Sequence, residues 1–562
     1  MTEGGASDQA DEQGPEQAGP GWRARLTAPL RRFVMLFWAQ GEAAIWLWAV
    51  LIGIAAGYAA LAFRLAIRSV QFASFGVFHA EMEAATANQF WWQTLLVPVA
   101  GGIIVAALLW IGMRLKALPE QRAEGVADVI EARAVGKGRM SVRTAAMSAG
   151  VAAVSLGAGA SAGREGPVVH LGAAVGSLVA DGLGLTQRQA RTLLACGAAA
   201  GIAASFNAPI AGVLFALEVI LGHYALRVIA PVSIASLAAA VVADIHLGAD
   251  VAFTVPELPP ASVFDFPASA VLGALAALAA MAFVSFTLGA TKRTAAWAGR
   301  LHVPLWALPP FGGLLVGALG VFMPEVLGVG YDTVSMALGG EHGVGFLLAL
   351  MLAKILATAL TLGFRFGGGV FSPAMVIGAA LGAAFGGLVS LIGLDGGGVP
   401  FFGLIGMGAV SGAVLGAPIS TTLIVFEMTQ SYEAGAAMLV AVSMATVITQ
   451  SGIGGSFFHK QVERHGWELA AGPQRLILQT VRVRDFMTPV GSDANETLSE
   501  GPALYADDSL GRALALLKAE DLDGAAVKRR GGDEAVVGHI SRTDALLAYN
   551  NALVDAHIER SR

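Results

Sequence analysis

The chain has 562 residues, of which 55% are hydrophobic and only 14% charged, with 72 glycines and a mean hydropathy of +0.66. That much apolar sequence cannot be buried in a water-soluble core, so an ordinary soluble domain is excluded. A net charge of -6 without a long basic stripe gives no support to nucleic-acid binding, and the single cysteine, Cys196, rules out a disulfide framework or a cysteine metal cluster.

Residues 1–22 carry Glu3, Asp8, Asp11, Glu12 and Glu16 among Gly, Gln and Pro, and read as a disordered acidic tail. The tail has neither the basic start nor the small-residue cleavage site of a signal peptide. Arg23, Arg25, Arg31 and Arg32 then precede the first strongly apolar segment, which places the N-terminus in the cytoplasm by the positive-inside rule. Between 23 and 466, apolar stretches recur at 44–61, 95–111, 228–242, 268–286, 345–362 and 436–447. A membrane helix needs about 20 such residues. The pattern predicts an all-α polytopic protein of the inner or plasma membrane, both termini cytoplasmic and the helices bathed in lipid bilayer.

Two segments 206 positions apart share one spacing. Gly163-Arg164-Glu165-Gly166-Pro167 is followed by Gly172 and Gly176; Gly369-Val370-Phe371-Ser372-Pro373 is followed by Gly378 and Gly382. Downstream, Ala208-Pro209-Ile210 leads to Glu218 and Ala417-Pro418-Ile419 leads to Glu427, each over ten positions. Two pairs in register indicate duplicated halves, about 40–250 and 260–460. Gly/Pro-interrupted apolar segments at matching places in two halves point to a transporter whose site lies at the repeat interface.

Proline is suited to the first turn of a helix, where its missing donor is not needed, and the preceding glycines allow a tight entry. Helices that begin inside the membrane leave unpaired N–H groups and a positive dipole end there, which attract an anion. Ordinary kinks between packed helices would give the same spacing. Glu165 adds a carboxylate that competes with an anion for the same donors. Charged, it blocks the path; protonated, it can swing away. A helix-capping acid is the simpler alternative.

These segments resemble the CLC family of chloride channels and proton-coupled chloride antiporters. The stretch 163–167 is similar to the family's gating-glutamate motif and 369–373 to its second pore motif, while 205–212 and 416–420 are similar to its repeat-related segments. The resemblance implies an inverted-repeat membrane fold, a homodimer with one pore per subunit, and Glu165 as external gate. It also implies anion binding by Gly163, Arg164, Gly166, Gly369 and the amides of Val370 and Phe371, with Glu124, Gly125 and Phe458 at the family's remaining anion-binding positions. The expected substrates are chloride or a similar small anion, and protons.

Three positions depart from the family pattern. Where the first pore motif has Gly-Ser-Gly-Ile-Pro, the chain has Ala123-Glu124-Gly125-Val126-Ala127, so Glu124 replaces a serine hydroxyl beside Gly125. Phe458 stands at the pore tyrosine, and Val219 at the inner proton glutamate, next to Glu218. Glu218 is a substitute proton group or a buried, bonded acid, and His170 a relay or a packed hydrogen-bonder. Lys354 and Arg365, before the second pore motif, would draw anions in or anchor helix ends. A passive channel is the alternative to exchange, and a membrane-anchored nucleotide sensor a more distant one. An intramembrane enzyme needs a nucleophile with its base or a metal-ligand set, and no His-Glu-x-x-His stands in the chain. No cofactor or metal is expected.

After a linker at 467–480, residues 481–562 change character. A short extended segment at 481–483 precedes a helix at 509–519 with Leu510, Ala513, Leu514 and Leu517 on one face, then strands at 525–527 and 535–540 joined by a turn at Gly531-Gly532. This resembles a single CBS domain, a small α/β regulatory unit. The resemblance implies that Ser541 contacts the phosphate and Asp544 the ribose of an adenine nucleotide. Ser541 can equally cap the closing helix without any ligand.

Overall fold

The computed structural model describes residues 42–76, 89–248, 253, 255–256, 258–391, 396–468, 472–489, 502–530 and 536–561. The acidic tail, the arginines at 23–32 and the turn at 531–532 lie outside them.

Ala, Leu, Val and Ile runs build the membrane part from helices. The first half holds α1 (Glu42–Phe75), α2 (Trp91–Arg114), α3 (Val126–Ala134), α4 (Val142–Gly157), α5 (Glu165–Gly182), α6 (Gln187–Phe206), α7 (Pro209–Phe215) and α8 (Leu226–Leu247). The second half holds α9 (Asp265–Arg300), α10 (Pro309–Phe322), α11 (Tyr331–Gly339), α12 (Val344–Gly363), α13 (Phe371–Leu391), α14 (Gly398–Leu415), α15 (Pro418–Thr429), α16 (Tyr432–Ile453) and α17 (Phe457–Arg464). Among the described residues, nine helices are long and apolar enough to cross a membrane. The motifs stand at the starts of α13, one of the nine, and of α5, α7 and α15, which are not among them.

The halves repeat each other's packing. α8 lies on α6 and α1, as α16 lies on α14 and α9, while α2 packs on α10 and α7 on α15 across the duplication. The repeated glycines explain the tightest crossings. A Cβ at Gly172 would meet the Gly197 carbonyl oxygen at 2.1 Å and one at Gly176 that of Leu193 at 2.0 Å. In the second half, Gly378 would meet the Gly406 oxygen at 2.3 Å and Gly382 that of Phe402 at 2.0 Å. Small residues let membrane helices approach backbone to backbone, where packing replaces the missing hydrophobic drive. The outward faces stay apolar, with Ile104, Leu237, Leu275 and Val447 exposed, as lipid requires.

Beyond the membrane part, α18 (Pro473–Thr480), α19 (Leu510–Ala519) and α20 (Arg542–Ser561) flank a four-stranded sheet. Its strands, β1 (Thr488–Pro489), β2 (Leu504–Tyr505), β3 (Gly524–Lys528) and β4 (Val536–Ser541), are ordered β1-β4-β3-β2. β4 runs antiparallel to both neighbours and β2 parallel to β3. Leu504, Leu510, Ala513, Leu517, Val527 and Ile540 form its small core. The expected extended segment at 481–483 is a single bridge between Arg482 and Ser509 followed by a 3-10 turn from Val483.

Candidate functional site

The two motif turns meet. Gly163 N–H donates to the Gly369 carbonyl at 2.7 Å and Gly369 N–H to that of Gly163 at 2.7 Å, an antiparallel pair joining the two halves. Buried backbone groups must find partners, and these turns find each other. From here α5 and α13 start away from a shared point. The starts of α3, at Gly125 and Val126, and of α17, at Phe457 and Phe458, border the same cavity of about 310 Å³, together with Glu165, Gly166, Gly369, Val370 and Phe371. Four helix amino ends therefore border one cavity, and their first-turn N–H groups and dipoles favour an anion there.

Glu165 closes one end of it. The side chain is 1% exposed. The Ser372 hydroxyl donates to Oε1 at 2.7 Å, the Ser372 amide to Oε2 at 3.3 Å, and the Tyr331 hydroxyl also donates to Oε1. The carboxylate thus sits on the amino end of α13, in the seat an anion would take. Tyr331, at the start of α11, holds it from a third element; Arg164 lies 4.8 Å above the Tyr331 ring and donates to the Ser205 carbonyl at 3.3 Å. Sequence reasoning missed Tyr331. Its only signal was the Gly330-Tyr331 turn, far from either motif in the chain.

Of the residues singled out in the sequence, Glu165, Gly166, Gly369, Val370, Phe371, Glu124, Gly125 and Phe458 border the cavity. Gly163, Arg164 and Glu218 stand outside the set that borders it. Gly163 is spent on the paired turns. Glu218, on the π-turn that continues α7 from Ala216 to Leu221, accepts from the amides of Ile419 at 3.1 Å and Ser420 at 2.8 Å and from the Ser420 hydroxyl at 2.8 Å. Glu427 reciprocates from α15, accepting from the amides of Ile210 at 3.0 Å and Ala211 at 2.7 Å. Each half thereby caps a broken helix of the other, and Glu218 is a bonded acid.

His170, in α5, is 1% exposed, with Nε2 3.2 Å from Glu124 Oε2. Lys354 is fully buried and donates to the carbonyls of Val326 at 2.9 Å and Gly328 at 3.3 Å, whereas Arg365 borders the cavity. The spacing Gly-x-Ser-x-Gly does occur at 159–163, but the Ser161 hydroxyl meets that of Thr358 at 3.2 Å rather than a base.

A polar network rings the cavity where α17 ends. Arg122 grips Asp128 at 2.6 and 3.0 Å and reaches His465 Nε2 at 3.3 Å; His465 Nδ1 lies 2.6 Å from Glu131, which also accepts from the Trp467 indole at 3.0 Å. The bond to Glu131 raises the pKa of His465 above its ordinary value. Asp128, Glu131 and His465 bring one ligand atom each within 4.8 Å of one another, but Arg122 and Trp467 already engage the carboxylates, so the group reads as an ion-pair network.

In the C-terminal unit the Ser541 hydroxyl donates to Asp544 Oδ2 at 2.7 Å, and the Asp544 amide donates back to Ser541 Oγ at 3.0 Å. That bond holds the Asp544 carboxyl below the usual carboxylate range. The two residues singled out for nucleotide are here engaged with each other at the start of α20, the capping arrangement.

Known proteins place this architecture. Residues 101–450 match the family described as voltage gated chloride channel. A ClcB-like protein of Ralstonia nicotianae is 34% identical over 398 residues, covering 70% of this chain and 90% of its own. The voltage-gated ClC-type chloride channel ClcB of Escherichia coli is 30% identical, covering 74% of this chain and 98% of its own. Two solved structures share the fold: a slow cyanobacterial Cl-/H+ antiporter, with a TM-score of 0.65 and 23% identity over 75% of this chain and 97% of that one. The other is a CLC-type fluoride/proton antiporter, with a TM-score of 0.61 and 21% identity over 73% of this chain and 96% of that one. With paired motif turns, duplicated halves and these likenesses together, the chain is a multi-pass membrane protein belonging to the CLC family of voltage-gated chloride channels.

Proposed function

We propose that the chain moves chloride or a similar small anion across the membrane in exchange for protons, with Glu165 as the gate. The observation that carries this is one buried carboxylate seated on the helix amino ends where four such ends converge. An anion entering from the cavity competes with Glu165 for the Ser372 donors, and a proton on the carboxylate removes its claim to them. Val370 and Phe371 amides and Gly166 and Gly369 shape the seat, with Gly125 and Phe458 opposite. Partial charges suit a passing ion, since a full positive charge would hold it too tightly.

The similarity to ClC-type chloride channels supports chloride as cargo, and the likeness to a Cl-/H+ antiporter supports exchange for protons. Val219 at the inner proton position favours the second reading, a passive channel. Proteoliposomes with a chloride gradient separate them. Exchange predicts uphill proton movement, and Glu165→Ala is expected to abolish it while anion flux persists. Unchanged proton flux in that variant would refute the gate.

The expected setting is the inner or plasma membrane with both termini cytoplasmic. Homodimers are supported by the apolar residues left exposed along the reciprocal pair α7 and α15 and the neighbouring α8, including Ile210, Ile419 and Val241. An adenine nucleotide at the C-terminal unit would have to displace the bond between Ser541 and Asp544. Calorimetric titration with ATP and AMP tests that, and no heat with either would discard it.

A further inference from the structure

Exchange needs a titratable group that takes a proton from the cavity side and delivers it to Glu165. Val219 cannot titrate, and Glu218 is committed to the amino end of α15. The cavity itself offers three further carboxylates, Glu120, Glu124 and Asp128. Arg122 binds two of them, Glu120 at 2.8 Å and Asp128 at 2.6 Å. Asp128 also accepts from the Gly125 amide at 2.7 Å, so it is fixed as an anion. Glu124 is different. Its partner is an imidazole, His170, whose Nε2 lies 3.2 Å away, and its side chain remains 27% exposed.

His170 supplies the second observation. It is 1% exposed, and neither ring nitrogen makes a well-aligned hydrogen bond. A buried polar atom left without one costs roughly 1–3 kcal/mol and calls for an explanation. A ring that must accept and release a proton provides it.

We propose that Glu124 and His170 form the inner proton-transfer dyad of this chain, standing where a serine hydroxyl is expected. This rests on the exchange reading above. The neutral imidazole and the carboxylate together take up one proton from cavity water. That proton then leaves the dyad's N–H or O–H bond and forms an O–H bond on the Glu165 carboxylate across the shared cavity. Charge balances at each step. The charged and titratable groups that border the cavity with Glu124 are Glu120, Arg122 and Asp128 on the α3 side, Arg365 before α13, Arg464 and His465 at the end of α17, and Glu165.

The test uses the full chain in proteoliposomes, recording chloride and proton flux together. Glu124→Gln keeps the shape and removes the titration. It is expected to lower the ratio of protons to chloride moved by about 100-fold, the scale of a lost acid–base group, with an unchanged Tm in detergent reporting a folded protein. Glu124→Asp is expected to restore coupling in part, and His170→Gln to shift the pH at which coupling is half-maximal. If the parent chain couples protons and Glu165→Ala uncouples it, yet Glu124→Gln keeps the parent ratio of protons to chloride, the dyad is wrong and the gate stands. A parent chain that moves no protons uphill overturns both.

Discussion

Tyr331 fixes how firmly the proposed gate is shut. Its hydroxyl is one of three donors on the Glu165 carboxylate, delivered by a helix that belongs to neither motif. A hydrogen bond of this kind is worth about 1 kcal/mol net, so Tyr331→Phe is expected to raise anion flux by roughly fivefold where the closed seat dominates. The same change in a Glu165→Ala background should do nothing. An equal rise in both backgrounds would mean that Tyr331 acts on packing alone. Glu165 was readable in the chain because its motif, 163–167, is local; Ser372 stands in the second motif, where the reading fell on the amides of Val370 and Phe371 instead. Tyr331 and the Glu124–His170 contact were not, since they join residues that only the folded backbone brings together.

At the scale of helices, the duplication was legible because both halves keep the same Gly, Pro and Glu spacings. What those spacings do was only partly legible. The glycines at 172, 176, 378 and 382 are contact points where another backbone passes within van der Waals range. Gly382→Val forces a side chain onto the Phe402 carbonyl, 2.0 Å from the nearest possible Cβ. The expected cost is about 3 kcal/mol or more, read as a lowered Tm in detergent; an unchanged Tm would mean that α13 and α14 can part freely. Of the two readings the sequence left open for Glu218, its bonds to the amides of Ile419 and Ser420 favour the bonded acid, and the reciprocal bonds of Glu427 make the pair fasteners across the duplication. Glu427→Ala leaves the amides of Ile210 and Ala211 without their acceptor. About 1–3 kcal/mol of stability is expected to be lost, checked by the same melting measurement.

For the whole molecule, the ring of charge at 122–131 and 465–467 ties the end of the membrane part to α3, beside the cavity. His465 has its pKa raised by Glu131. The stabilisation is therefore fully present below the ordinary histidine pKa of about 6.5 and is lost as pH climbs through the raised folded value. Exchange protection in 465–468, corrected for the intrinsic base-catalysed rate, is expected to fall on going from about pH 6 to pH 8. His465→Gln should remove that loss of protection, and corrected protection that ignores pH in the parent chain would dismiss the latch. The change of character in the C-terminal unit was visible in composition, as the apolar runs cease and an amphipathic helix begins at Leu510.

The paired turns at Gly163 and Gly369 bear on how the molecule is made. During synthesis the first turn enters the bilayer with an amide and a carbonyl whose partners are 206 residues from being translated. Lipid offers neither a substitute. The nascent first half must therefore wait in a watery or protein-lined refuge, and halves expressed as separate polypeptides should mature only when both are present in one cell.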